Sequence, residues 1–189
     1  MVLGAGGQLG TELVRLLPES STIACTRCDL DICDADTVDA VLAKHRPSVV
    51  FNCAAYVDVE RAEDEKDEAF EVNGHAVKTL ALTCCRSDIT LVHISTDYVF
   101  DGTARKPYKP DDLTNPKSIY GKSKLAGEQE VIRILKKHVI IRTAWMFSEY
   151  GGNFFNTILS LVKNRKNIDV TWLGNGKTSN KIVEILKIF

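Results

Sequence analysis

The sequence has no basic tract, no long apolar run, no internal repeat and no low-complexity linker. Its 189 residues carry 24 Lys and Arg against 25 Asp and Glu, a formal net charge of −1. Without a block of positive charge, nucleic acid and anionic membrane are excluded as main partners. No stretch approaches the about 20 apolar residues of a bilayer-spanning helix. The N-terminus lacks the basic region and long apolar stretch of a signal peptide. A second Cys-x-x-Cys is also missing. Cys25 and Cys28 have zinc-like or redox-like spacing, but no partner pair follows at finger-like distance, so no metal ligand is assigned. Cys25 and Cys53 lie in apolar, strand-like runs, where a thiol is a small buried hydrophobe. Six reduced cysteines fit a cytoplasmic protein.

What is present reads as one domain with a sizeable core: 44% of residues are apolar and 26% charged. Short apolar runs alternate with amphipathic stretches. Strands are expected at residues 1–3, 22–26, 49–53, 90–95, 139–143 and 168–172. Helices are expected at 8–17, 35–45, 66–85, 119–135 and 153–164. This alternation implies βαβ units and a doubly wound parallel α/β sheet of the Rossmann kind. Val, Ile and Leu run through the strands without alternation, as in a sheet covered on both faces. Asp34 is placed to cap the second helix, and Pro116 and Ser118 precede the fourth. The first strand, with three residues before the glycines, is short for a central strand and suggests a clipped or mis-started N-terminus.

Gly4, Gly7 and Gly10 follow that strand and open a helix, with the spacing Gly-x-x-Gly-x-x-Gly. Such a turn lets backbone approach a pyrophosphate, and the helix N-terminus offers it free N–H groups. The second strand ends Ala24-Cys25-Thr26-Arg27, with no carboxylate to hold a ribose diol. Arg27 suits a 2′-phosphate and so favours NADP(H). Asp29 and Asp31 keep NAD(H) open, and Arg27 as a plain surface charge is an equal alternative.

Tyr120 and Lys124 are four residues apart, on one face of the expected helix. A nearby ammonium favours phenolate and lowers the phenol's pKa from about 10, which makes Tyr120 a candidate proton donor to a carbonyl. Taken alone the pattern is common, and a half-buried Tyr on a surface helix is the plainer reading. Asp97, Asp101 and Asp111 read singly as turn or capping residues. Asn73 suits either a water relay to Lys124 or a bond to a neighbouring loop.

Seven motifs then occur in order: Gly7-Gln8-Leu9-Gly10 in the turn, Leu30-Asp31-Ile32, Asn52-Cys53-Ala54-Ala55-Tyr56, Ala69-Phe70-Glu71-Val72-Asn73, the run from Ser95 to Gly102 (Ser-Thr-Asp-Tyr-Val-Phe-Asp-Gly), the run from Tyr120 to Glu128, and Ile141-Arg142-Thr143-Ala144-Trp145. Together they resemble the dTDP-4-dehydrorhamnose reductase family, a branch of the extended short-chain dehydrogenases/reductases. The likeness runs from Met1 to about Asn167.

The resemblance implies reduction of the 4-keto group of dTDP-4-dehydro-L-rhamnose with NADPH or NADH. It implies Thr96, Tyr120 and Lys124 as the catalytic set. Gly7, Gln8 and Leu9 match the pyrophosphate turn; Asp31 and Ile32 the adenine side; Ala54, Ala55 and Tyr56 the loop after the third strand. Thr96, Asp97 and Trp145 match substrate contacts, with Tyr98 beside them. For Trp145, core packing is the alternative. The resemblance also brings magnesium and a homodimer, both through the family's later region, so no ligand is assigned here. Residues 1–167 form the expected dinucleotide-binding domain. Residues 168–189 are the expected remnant of the junction to a smaller substrate lobe that is largely missing.

The family's Asp-Gln pair and Pro after the sixth strand are absent from Val170–Ser179. An apolar helix is expected over 180–189. The pattern is that of a fragment or a truncated paralogue. A dinucleotide-binding module without turnover, and a reductase or epimerase of another nucleotide sugar, are the competing readings.

Overall fold

The computed structural model describes residues 1–148, 150 and 152–164. The expected sixth strand at 168–172, the whole 168–189 segment and the apolar helix at 180–189 lie outside the described residues. The chain divides into two compact units, Met1–Gly151 and Gly152–Phe189. In the second, the described element is helix α6, Phe154–Asn164.

The first unit is built on five strands: β1 (Val2–Leu3), β2 (Ala24–Cys25), β3 (Val49–Asn52), β4 (Thr90–Thr96) and β5 (His138–Thr143). They lie in the order β2-β1-β3-β4-β5, every neighbouring pair parallel. The order reverses between β1 and β3, and in such sheets ligands bind outside the carboxyl ends of the strands at that switch point.

The helices are α1 (Gln8–Leu16), α2 (Ala35–His45), α3 (Lys66–Phe70), α4 (Ala76–Arg86) and α5 (Ile119–Ile134). Local chemistry fixes their ends. The Asp34 carboxylate accepts from Asp36 N and Thr37 N, and Ser118 Oγ accepts from Gly121 N at 3.0 Å; each such cap stabilises its helix by about 1 kcal/mol. Val38 and Leu42 of α2 and Val77, Leu80 and Cys84 of α4 join Leu3, Val50 and Leu91 of the sheet in one buried core.

Three elements differ from the sequence expectation. The helix expected over 66–85 contains a π-helical turn, Glu71–His75, between α3 and α4. Strand β2 is two residues long because side chains compete for its ends. Thr22 bonds back to Pro18 and Glu19, and Asp29 takes the N–H and hydroxyl of Thr26. Finally, among the described residues of the first unit β5 is covered on one face only: Val139 is 48% and Ile141 42% exposed, while Ile140 between them packs against the core.

Candidate active site

The carboxyl ends of β1, β2 and β3 open on a cavity of about 370 Å³, within the usual range of small-molecule sites. Its floor is the glycine turn. Gly4 has φ +72°, and a Cβ there would stand 2.7 Å from Ala54 N. A Cβ on Gly10 would stand 2.2 Å from Gly4 O. Both positions therefore require glycine to let strand, turn and α1 close on one another. Gly7, the N-cap of α1, gives it no side-chain cap, and the first turn has no acidic residue. Its N–H groups and dipole are thus left for an anion. That cradle suits the pyrophosphate of a dinucleotide.

Of the residues expected to hold the cofactor, Gly4, Gly7, Arg27, Asp31 and Ile32 line the cavity, as do Ala54, Ala55 and Tyr56. Gln8, Leu9 and Gly10 belong to the first turn of α1 behind the floor. Tyr120 and Lys124 are not among the lining residues; they form a second, buried cluster beside it. Glu68 and Val72 line the cavity as well and were not expected. Their spacing of four put them on one helical face, but nothing in the sequence said what that face meets.

The second cluster is built where β4 meets α5. Thr96, buried at the end of β4, accepts from Tyr98 N and donates to Asp97 Oδ1, both at 3.2 Å. The rings of Tyr98 and Tyr120 meet edge to face, centroids 5.6 Å apart. This contact depends on Gly121: a Cβ there would stand 2.3 Å from Tyr98 O, so only glycine lets α5 approach. The helix start is further fixed by Glu63, whose Oε1 accepts from Ile119 N at 2.8 Å.

Burial pushes the Tyr120 phenol above its ordinary pKa, with the Thr96 hydroxyl working against it and Asp97 and Tyr98 adding to it. This corrects the expectation that Lys124 lowers the phenol. The Lys124 ammonium is buried and donates to Ile94 O at 2.7 Å, and burial pushes its own pKa down to about 8. A shared helical face set the direction of Lys124 but not its depth, and desolvation dominates both groups.

Asn73 sits in the π turn and is fully buried. Its Oδ1 accepts from Tyr56 N, and its Nδ2 donates to Tyr56 O and Ser123 Oγ, all at 3.0 Å. Ser123 in turn donates to Tyr120 O at 2.8 Å. Of the two roles left open for Asn73, its amide takes the loop-binding one, tying the cavity wall to the helix of Tyr120. Tyr56 is held at its other end by Glu65, at 2.6 Å, which pushes that phenol up to about 12. His93, inside the apolar run of β4, carried no sequence signal. It is fully buried, and burial together with Lys124 pushes its pKa well down. Asn52 Oδ1 accepts from Ala54 N, which turns its Nδ2 toward His93 Nδ1 at 3.2 Å. The imidazole is therefore neutral, with its proton on Nε2.

Asp97 and Tyr98 line a further cavity of about 310 Å³ with Phe100, Lys117 and Ser118. Asp101 is a loop organiser, accepting from Thr103, Tyr108 and Asn115; the turn at Lys109 is closed by Asp112. Trp145, two residues beyond β5, is 57% exposed and lies outside the core of the described residues. Its φ of +50° is unusual for a bulky residue.

The family model described as the RmlD substrate binding domain matches residues 1–176. The chain belongs to the RmlD family. It is 44% identical over 173 residues to a dTDP-4-keto-6-deoxy-D-glucose reductase of Streptomyces niveus, covering 90% of this chain and 60% of that one. It is 39% identical over 191 residues to a dTDP-4-dehydrorhamnose reductase of Aggregatibacter actinomycetemcomitans, covering 98% and 65%. Among solved structures, the dTDP-4-dehydrorhamnose reductase of Bacillus anthracis in complex with NADP superposes with a TM-score of 0.86 at 37% identity, over 88% of this chain and 60% of that one. The chain thus spans 60–65% of the length of these RmlD relatives. Among the described residues, no group of His, Cys, Asp and Glu could hold a metal, and no helix is long and apolar enough to cross a membrane.

Proposed function

We propose that the protein is an NAD(P)-dependent reductase of a dTDP-4-keto-6-deoxy sugar, converting dTDP-4-dehydro-L-rhamnose to dTDP-L-rhamnose. The observation that carries the reading is the close approach of α5 to the carboxyl end of β4, which sets Tyr120 edge to face on Tyr98, two residues from Thr96, beside a glycine-floored cavity. The reductase activities of the RmlD relatives from Streptomyces niveus and Aggregatibacter actinomycetemcomitans support it.

When bound, NADPH or NADH supplies the hydride. The glycine turn would hold its pyrophosphate, Arg27, Asp31 and Ile32 its adenosine side, and the Ala54–Tyr56 loop the remainder. Thr96, released from Asp97, donates to the substrate carbonyl. Tyr120 gives its proton to that oxygen as negative charge develops. Burial keeps the phenol protonated at neutral pH, as a proton donor must be. Lys124, one helical turn further along α5, supplies a buried cation held on Ile94 O. Asp97, Tyr98 and Trp145 are the sugar-nucleotide side, Trp145 offering a flat apolar face with one N–H. A cytoplasmic location goes with six free thiols, and a homodimer is the assembly expected of the longer relatives.

Mixing the protein with NADPH and dTDP-4-dehydro-L-rhamnose, and following absorbance of the reduced nicotinamide, tests the reading. Substrate-dependent oxidation is expected. NADPH binding without oxidation would leave a dinucleotide-binding module. Faster turnover of dTDP-4-keto-6-deoxy-D-glucose would favour a second reading, for which the 44% identity to the Streptomyces niveus enzyme speaks.

A further inference from the structure

We propose that Asp31 and Glu68 temper the cofactor preference of this site by competing with a 2′-phosphate for Arg27. The inference rests on the dinucleotide reading of the cavity and adds what its adenosine end discriminates.

Arg27 stands two residues beyond β2, on the cavity wall with Asp31 and Glu68. Its Nε donates to Asp31 Oδ2 at 3.1 Å. The carboxylate cannot easily swing aside, because its other oxygen accepts from Cys33 N at 3.0 Å. Glu68 reaches the same wall from α3 and adds negative potential at the guanidinium. One cation therefore faces two carboxylates. Asp29 is not a competitor, since it is occupied by the N–H and hydroxyl of Thr26 at 2.9 and 2.7 Å.

An arginine after the second strand would by itself favour NADP(H), because a guanidinium binds phosphate well. Here that guanidinium already has an anion. A 2′-phosphate must share or displace Asp31 and is repelled by it and by Glu68. A ribose diol pays no such penalty, since both Asp31 oxygens keep lone pairs to accept its hydroxyls. The result is a site that admits both nucleotides with a small bias. The Arg27 side chain is 77% exposed, so the competition is screened and amounts to several-fold rather than orders of magnitude.

Calorimetric dissociation constants for NADPH, NADH, adenosine 2′,5′-bisphosphate and AMP test this without turnover. They are measured on the wild-type chain and on Asp31→Asn, Glu68→Gln and Arg27→Ala. Asp31→Asn keeps the oxygen that Cys33 N uses and removes the charge facing Arg27. It should tighten NADPH and the bisphosphate about two- to fivefold relative to NADH and AMP. Glu68→Gln should act in the same direction and less strongly, and Arg27→Ala should erase the difference between the paired ligands. If both carboxylate variants leave the NADPH/NADH ratio unchanged, or lower it, the inference is overturned while the cofactor reading stands. If the wild-type chain binds none of the four, the cofactor reading fails and takes the inference with it.

Discussion

The two halves of the candidate site are made in opposite ways. The cavity floor is backbone: its shape depends on Gly4 and Gly10 having no Cβ, and its polar rim, Arg27 with Asp31, is an exposed pair. The Tyr120 cluster is side chain: Lys124, Ser123, Asn73 and Glu128 are all buried and each is spoken for. A backbone cradle tolerates changed side chains at its rim but not an added atom at its floor. A buried polar cluster tolerates neither loss nor a missing partner, because each orphaned group keeps its desolvation cost.

The sharpest way to separate the halves is Tyr120→Phe. Turnover should fall about 10²- to 10⁴-fold, with the NADPH dissociation constant nearly unchanged by calorimetry. Equal loss of binding would join the two halves. Next in size is Glu128→Ala. Glu128 is fully buried and holds Arg142 by two bonds, 2.9 and 2.7 Å, while Arg142 also donates to Pro110 O and lies over the Phe100 ring. Removing the carboxylate leaves a partly exposed guanidinium without its anion, and urea unfolding should lose about 1.5–3 kcal/mol.

Lys124→Met should go the other way. The unfolded lysine titrates near 10.5 and the folded one near 8, so between those values the unfolded state binds more protons and stability rises with pH. The buried ammonium therefore costs stability at neutral pH. The variant should be more stable than wild type at pH 7, by up to about 3 kcal/mol, and that advantage should shrink as pH rises from 8 to 10 while turnover is lost. A variant less stable at pH 7 would show that the bond to Ile94 outweighs desolvation. The cavity floor is tested by Gly10→Ala. Its new Cβ must displace the Gly4 carbonyl, costing about 1–3 kcal/mol in thermal unfolding and weakening NADPH, while the pH dependence attributed to Lys124 stays in place.

How much of this was legible in the sequence follows the same divide. The parallel order came from alternation, and helix ends fell close to expectation where a local cap such as Asp34 or Ser118 marked them. The glycine turn is a local backbone feature, so Gly4 and Gly7 could be named from spacing, whereas Asp31, Ile32, Ala54, Ala55 and Tyr56 were named only through the family resemblance. Depth and partners are tertiary and were not legible. Lys124 was assigned a direction but not its burial, Glu68 arrives from across the cavity, and Glu63 caps α5 from 56 residues away. The shortening of β2 was missed because Pro18 and Asp29 bond its ends, a competition that strand propensity does not weigh.

The π turn at Glu71–His75 makes this part of the chain sensitive to counting. A wide turn holds one more residue than a regular helix would over the same rise. Deleting one residue there would let the turn close to a regular helix with both flanks keeping their faces. The sheet contact of α4 would survive, and the loss would fall on the wide turn itself, where Asn73 ties Tyr56 to Ser123. The extra residue thus serves the cavity wall and not the fold: a shortened chain should stay folded while the Tyr56 loop comes loose.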